Sequence, residues 1–321
     1  MDFDLSDVQR SWRDKGADLG HAVAGDPAAA GVVAGAARAG LLDPAADFLA
    51  VVVATGALAA ESPAAGVIYA LHSGAALGGH TSPVFDSLFR GEAVAAVGLT
   101  SDDAPVGKGG RLSGRAPWVA PITARGIAVV GPRDASERLA YAVSLDDPGV
   151  HVEAVQTAGL EGVICGHLTL TGAAGQPMGP TQPIMTRIRI LMAAAGLGIG
   201  QRALREALAA ARTAHTAAAG EQTVQGLLAD AATDLDAAMV MTWKAATAAT
   251  LSLADASLAK IMASAAAQRA VERATQVVGV DSFQRGHIIE RLAQDVRALE
   301  LFAGRTEALR AAVAEVILPR G

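Results

Sequence analysis

Gln276-Val277-Val278-Gly279-Val280-Asp281, then Glu290-Arg291-Leu292-Ala293-Gln294-Asp295-Val296, then Leu301-Phe302-Ala303-Gly304-Arg305-Thr306-Glu307 punctuate the last fifty residues of a 321-residue chain. Gly279 follows an apolar helical run and is the residue type preferred where a helix stops. Arg291 and Asp295 stand four apart, on one helix face, and pair with each other or with a neighbour. Gly304 interrupts the final helical run. Working back from these marks, the spacing predicts helices over about 184–218, 221–249, 253–278 and 289–317, the last broken near Gly304. A helix of about 28 residues is roughly 42 Å long. Four apolar helices of that length cannot stay single, so a four-helix bundle with further oligomer contacts is expected.

Upstream the period changes. Leu139, Tyr141, Val143 and Leu145 alternate with Ala140, Ala142 and Ser144, and Leu168 with Leu170 continues the habit. Alternation places one face in a core and the other toward solvent or a partner. Gly109-Gly110, Gly131-Pro132 and Asp146-Asp147-Pro148-Gly149 mark turns. Residues 91–176 therefore read as a small antiparallel barrel or sandwich, and Gly175 to Pro183 as a linker. Before them, Asp2 to Leu19 suits a surface helix, Phe48 to Ala60 a buried one, and Gly66 to Leu77 a second apolar run. The expected class is α+β and mostly α. Its units are an N-terminal helical domain (1–90), a β-barrel domain (91–176) and a C-terminal helical bundle (183–321).

Composition narrows the function. The chain is 51% hydrophobic but 3% aromatic, with alanine supplying much of the excess, which favours long, closely spaced helices. A net charge of −6 without a Lys/Arg run argues against a nucleic-acid partner. The apolar run Phe48 to Ala60 is 13 residues long, against the roughly 20 that a membrane span needs. The start, Met1-Asp2-Phe3-Asp4, is acidic and has no signal core, and Cys165 has no intrachain partner, so a cytoplasmic location is expected. The seven His residues lack ligand spacing: His72 and His80 are separated by Gly74, Gly78 and Gly79, and no metal site is expected.

In their order, these motifs resemble the acyl-CoA dehydrogenase family. That family ends in Gln-x-x-Gly-Gly, an Arg-(Tyr/Leu)-x-Arg-Asp helix and Tyr-Glu-Gly-Thr, whose Glu in many members removes the substrate α-proton. Ala303 holds that place here. In other members the base sits on the first bundle helix, at a position that falls near Ile188, where Thr186, Arg187 and Arg189 offer no acid. Glu300 and Glu307 are the nearest acids to Ala303 in sequence and stand as candidates for a replacement. Arg90-Gly91-Glu92 with Ala95 to Thr100 is similar to a family strand whose Thr approaches the flavin, which assigns Thr100. Leu112 to Val119 is similar to Leu-x-Gly-x-Lys-x-Trp-Ile-Thr, placing Trp118 beside the flavin ring. Gln222-Thr223-Val224-Gln225 with Leu228-Ala229-Asp230 is similar to Gln-x-x-Gln-x-x-Leu-Ala-Asp. The Arg-x-x-Phe-Gly that precedes it is reduced to Arg212-Thr213-Ala214-His215. Arg212 thereby inherits a contact to the FAD pyrophosphate of a neighbouring subunit. Gln276 and Gly279 keep half of the Gln-x-x-Gly-Gly cofactor element. The N-terminal part is short for the family and lacks its Pro-Glu-x-x-Gly-Gly.

The resemblance implies FAD, an acyl-CoA or other acyl thioester as substrate, a place in lipid metabolism, and a homologous subunit or homo-oligomer as partner. The reaction it implies is α-proton removal with hydride passing to the flavin. Since both familiar base positions lack an acid, it further implies a paired assembly in which a partner brings the base. Two other readings stand beside it: a structural or regulatory subunit without flavin, and a flavin oxidoreductase turned to a biosynthetic oxidation. Each residue also has a plain reading. Trp118 could be a buried strand aromatic, Arg212 a solvated helix-end cation, Gln276 with Gly279 a helix cap, and Thr100 an ordinary strand residue. Cys165 is expected to be an inert buried thiol and His287 a structural residue at a helix start.

Overall fold

The computed structural model describes residues 4–79, 84–99, 105–131, 139–213 and 221–318. The chain opens with α1 (Asp7–Val23), whose start is fixed by a capping box between Ser6 and Gln9. Then follow α2 (Ala29–Arg38), α3 (Phe48–Glu61), α4 (Pro63–Gly78) and α5 (Phe85–Phe89). Asp47 caps α3, and Pro63 opens α4 where its missing N–H is harmless. Both helices are apolar on nearly every side and lie buried.

Among the described residues, eight strands come next: β1 (Val94–Gly98), β2 (Val106–Lys108), β3 (Arg111–Val119), β4 (Gly126–Val130), β5 (Leu139–Ser144), β6 (Val150–Val155), β7 (Cys165–Ala174) and β8 (Gln176–Pro180). They form two four-stranded sheets, ordered β1-β4-β5-β8 and β2-β3-β7-β6. All pairs are antiparallel except β1 with β4. Leu112, Leu168, Leu170 and Val143 fill the small core between the sheets.

Two details depart from the sequence reading. Ala140 and Ala142, expected on the outward face of β5, are buried in the helical core. Their small side chains let helices close over that face, so β5 is covered on both sides. The expected linker is strand β8, and the following helix begins at Thr181.

The bundle comprises α6 (Thr181–Thr213), α7 (Gln222–Ala246), α8 (Leu253–Val278), a 3-10 turn (Gly279–Phe283), α9 (Ile288–Leu301) and α10 (Thr306–Ile317). The break near Gly304 is the turn between α9 and α10. By length and composition α6 could cross a membrane, but 89% of its most apolar window is buried inside the fold, as the central helix of the core. Glycines set its spacing. Gly74 and Gly78 of α4 abut Ile188 and Ile184, and Gly200 abuts Ala267 of α8. At Gly198 an added Cβ would run into the Gly56 carbonyl and stand 2.9 Å from the Ala60 nitrogen, both backbone atoms of α3. Gly198→Ala is therefore expected to lose about 1–3 kcal/mol, read as a lower urea midpoint with an unchanged slope.

Candidate functional site

Ala303 lies in the α9–α10 turn with φ 57°, and Gly304 follows at φ 106°. A non-glycine residue in the left-handed region is strained by about 1 kcal/mol and persists where its surroundings hold it. Two cations do so. Arg189 of α6 donates through Nε to the Ala303 carbonyl (3.2 Å) and through Nη1 to Ser257 Oγ of α8 (2.9 Å). Lys260 of α8, 1% exposed, donates to the carbonyls of Gly304 (2.8 Å) and Glu300 (3.1 Å). Burial pushes the Lys260 ammonium down to about 8, with Arg189 adding to the shift and Glu300 opposing it. Burial also lowers the Arg189 guanidinium. The last carbonyls of α9 attract positive charge, which is the local reason two cations gather here.

The nearby acids are placed differently. The Glu300 carboxylate accepts from Gln268 Nε2 (2.7 Å) and from Thr306 Oγ1 (2.9 Å), which ties both oxygens to neighbouring side chains. Glu307 lies in the first turn of α10 and is exposed.

Trp118 stands on β3 with φ 55° and is 57% exposed. The reading as a buried strand aromatic is thus replaced by an indole presented at the surface. Its backbone N–H donates to His167 Nδ1 of β7 (3.3 Å).

A third group occupies another part of the bundle. Gly196 and Gly200 of α6 lie against Ala263 and Ala267 of α8, so the two helices run parallel. Arg212, Gln276 and Gly279 therefore share one end. Arg189 and Arg212 are about 35 Å apart along α6, and Lys260 and Gln276 about 24 Å apart along α8, at 1.5 Å per residue. Arg212 is exposed, at the edge of a depression of about 300 Å³ along Gln201, Leu204, Arg205 and Leu208. Gly279 caps α8 at φ 76°, its N–H donating to the Thr275 carbonyl, with open space beside its Cα. Gln276 is exposed. The Ala303 turn, the Trp118 surface and the Arg212 end thus lie on separate elements. Thr100 lies outside the described residues.

The remaining marked residues have structural places. His287 caps α9, its Nδ1 accepting from the Ile289 N–H (3.2 Å). Cys165 is buried, which raises its thiol pKa. His72 accepts from the Ala95 N–H and meets the Leu88 carbonyl, and burial pushes it down to about 4, so it is neutral. Asp295 takes the neighbour alternative: its carboxylate accepts the Leu160 N–H, tying α9 to the β6–β7 loop.

Burial raises the Asp295 carboxyl from 3.8 to about 6, against the Leu160 hydrogen bond and Arg291. A folded value above the unfolded one means stability from this group is full below pH 3.8 and lost as pH rises through 6. Asp295→Asn keeps an acceptor and removes the charge. It is expected to gain up to about 3 kcal/mol over wild type at pH 7 and nothing at pH 3.5, as read by urea unfolding at both pH values.

Arg189, Lys260 and His167 were not picked out from the sequence. Lys260 left a trace: it falls on the alanine face of α8 with Ala256, Ala263 and Ala267, where a charge must be held by partners.

Residues 181–318 match the family model for the acyl-CoA dehydrogenase C-terminal domain. The chain is 32% identical over 136 residues to a probable acyl-CoA dehydrogenase, YngJ, of Bacillus subtilis (strain 168), covering 40% of this chain and 36% of that protein. The match thus spans about a third of that relative's length. Among solved structures, a glutaryl-CoA dehydrogenase from Mycobacterium smegmatis in complex with FADH2 superposes at TM-score 0.85 and 13% identity, over 98% of this chain and 96% of that one. A Tcur3481-Tcur3483 steroid ACAD superposes at TM-score 0.81 and 21% identity, over 97% and 96%. At these identities the structures establish a common fold.

Proposed function

Because this chain is a member of the acyl-CoA dehydrogenase family, by its C-terminal domain and by its fold, we propose that it is one subunit of an FAD-dependent acyl-CoA dehydrogenase whose catalytic base comes from a homologous partner. The observation that carries this reading is the Ala303 turn: it is buried, held by Arg189 and Lys260, and its residue cannot accept a proton. Glu300 is engaged by two side chains and Glu307 is exposed, so we propose neither as a replacement.

The residues present fit the cofactor. Trp118 offers an exposed indole face, and Gly279 an open backbone beside the exposed Gln276 and Arg212. In this reading Trp118 would back the flavin ring, Arg212 would supply positive charge to a pyrophosphate, and Gln276 would hydrogen-bond the nucleotide half in the room that Gly279 leaves. Bound there, FAD would supply the acceptor for a hydride from the acyl β-carbon. The separation of the Arg212 end from the Ala303 turn supports cofactor sites completed across a subunit interface, since one extended molecule cannot touch both through one chain. The division into helical domain 1–90, barrel 91–176 and bundle 183–321 is part of the same proposal, as are an acyl thioester substrate, lipid metabolism and a cytoplasmic location.

The unfilled base position also favours a second reading, a non-catalytic subunit without flavin. The visible spectrum separates the two. Flavin bands in this protein, alone or mixed with a homologous partner, support the first reading. Bands in neither sample overturn it and leave the structural subunit.

A further inference from the structure

We propose that His167 is the positioning residue that aims the Trp118 indole, by accepting the Trp118 backbone N–H at Nδ1; the consequence for cofactor binding rests on the flavin reading above. The register shows why such a residue is required. β3 pairs with β7 at Ala116↔Leu168 and Val119↔Gly166, so Pro117 and Trp118 together oppose His167 alone. This is a bulge, a device that turns a side chain out of the regular alternation. Pro117 has no N–H, and Trp118 sits at φ 55°, which a β-carbon-bearing residue adopts at a cost of about 1 kcal/mol. The Trp118 N–H, out of register with the ladder, goes to the imidazole at 3.3 Å. The two rings meet edge to face, with centroids 5.1 Å apart and planes at 84°. One side chain thus holds both the strained backbone and one side of the indole, while Trp118 as a whole stays 57% exposed.

The hydrogen bond demands an unprotonated Nδ1, so a neutral ring carries its proton on Nε2. Across the neighbouring strands stand Glu153, directly opposite on β6, and His151 of β6 and Arg115 of β3, which flank Thr169.

The experiment uses the full chain labelled with 5-fluorotryptophan, whose ¹⁹F spectrum reports Trp12, Trp118 and Trp243 separately, with Trp118→Phe as the assignment. Asn carries an acceptor where the histidine has Nδ1. His167→Asn is therefore expected to keep the Trp118 resonance in place, and His167→Ala to move or broaden it, while the Trp12 and Trp243 signals stay fixed and report an intact fold. FAD titrations should weaken roughly five- to tenfold in His167→Ala, about the worth of one hydrogen bond, and return to the wild-type value in His167→Asn. A Trp118 signal unmoved by His167→Ala, or an Asn variant behaving like the Ala variant, overturns the proposal. The fluorine arm needs no cofactor, so wild-type protein that takes up FAD neither alone nor with a homologous partner would overturn the flavin reading while His167 is still judged by the resonance.

Discussion

Ala303→Glu is expected to raise the rate at which an acyl-CoA bleaches the bound flavin of this chain by about 10²–10⁴-fold, the usual contribution of a positioned general base. The turn is prepared for the change. Ala303 already carries a β-carbon at φ 57°, so glutamate adds little backbone strain beyond what alanine bears. Its carbonyl stays held by Arg189, and Lys260 holds the Gly304 carbonyl one residue on. Those two cations would offset part of the penalty of placing a carboxylate where Ala303 is 8% exposed. The measurement is stopped-flow loss of flavin absorbance on mixing flavin-loaded variant with octanoyl-CoA and with a short-chain acyl-CoA. A folded, flavin-loaded variant that bleaches no faster than wild type with either probe would show that the base belongs elsewhere.

Read near pH 10.5, where the buried amine carries no charge, Lys260→Ala should produce the largest loss of stability, about 3–5 kcal/mol. It removes a buried four-carbon stem, leaving a cavity, and strips the Glu300 and Gly304 carbonyls of their donor. Lys260→Met refills the volume and abandons only the carbonyls, so about 1–2 kcal/mol is expected. The contrast separates cavity from hydrogen bond. The pH dependence gives a second readout. A lysine held at about 8 in the fold, against 10.5 unfolded, weakens the fold below pH 8 and returns that loss as pH rises from 8 to 10.5. Wild-type stability should therefore carry an upward contribution across that window that both variants lack. Equal losses for Ala and Met, or a pH profile unchanged by either, would contradict the place assigned to Lys260.

The helices and strands were legible because their signals are local. α3 is apolar on nearly every side, α8 ends on Gly279, and α9 stops at the Ala303–Gly304 turn, as spacing and capping chemistry require. Strand β8 was missed for an equally physical reason. Gln176-Pro177-Met178-Gly179-Pro180 has the composition of a loop, and its pairing with β5 is a property of its neighbour. The second face of β5 was left to solvent or a partner because alternation reports two faces without saying what covers the second.

The sequence by itself determined an α+β chain dominated by helices, the order of its motifs, and an alanine at position 303, where the family resemblance implies a carboxylate. These follow from periodicity, capping and residue identity, which need no knowledge of distant partners. Only the tertiary structure decided that Trp118 faces outward, that Arg189 and Lys260 close on the Ala303 turn, and that Arg212 stands far along α6 from it. Each of these depends on residues remote in the chain, 49 apart for Trp118 and His167 and 114 for Arg189 and Ala303. Hydrogen-bond partners are assigned by packing, and packing has no period to be read in a sequence.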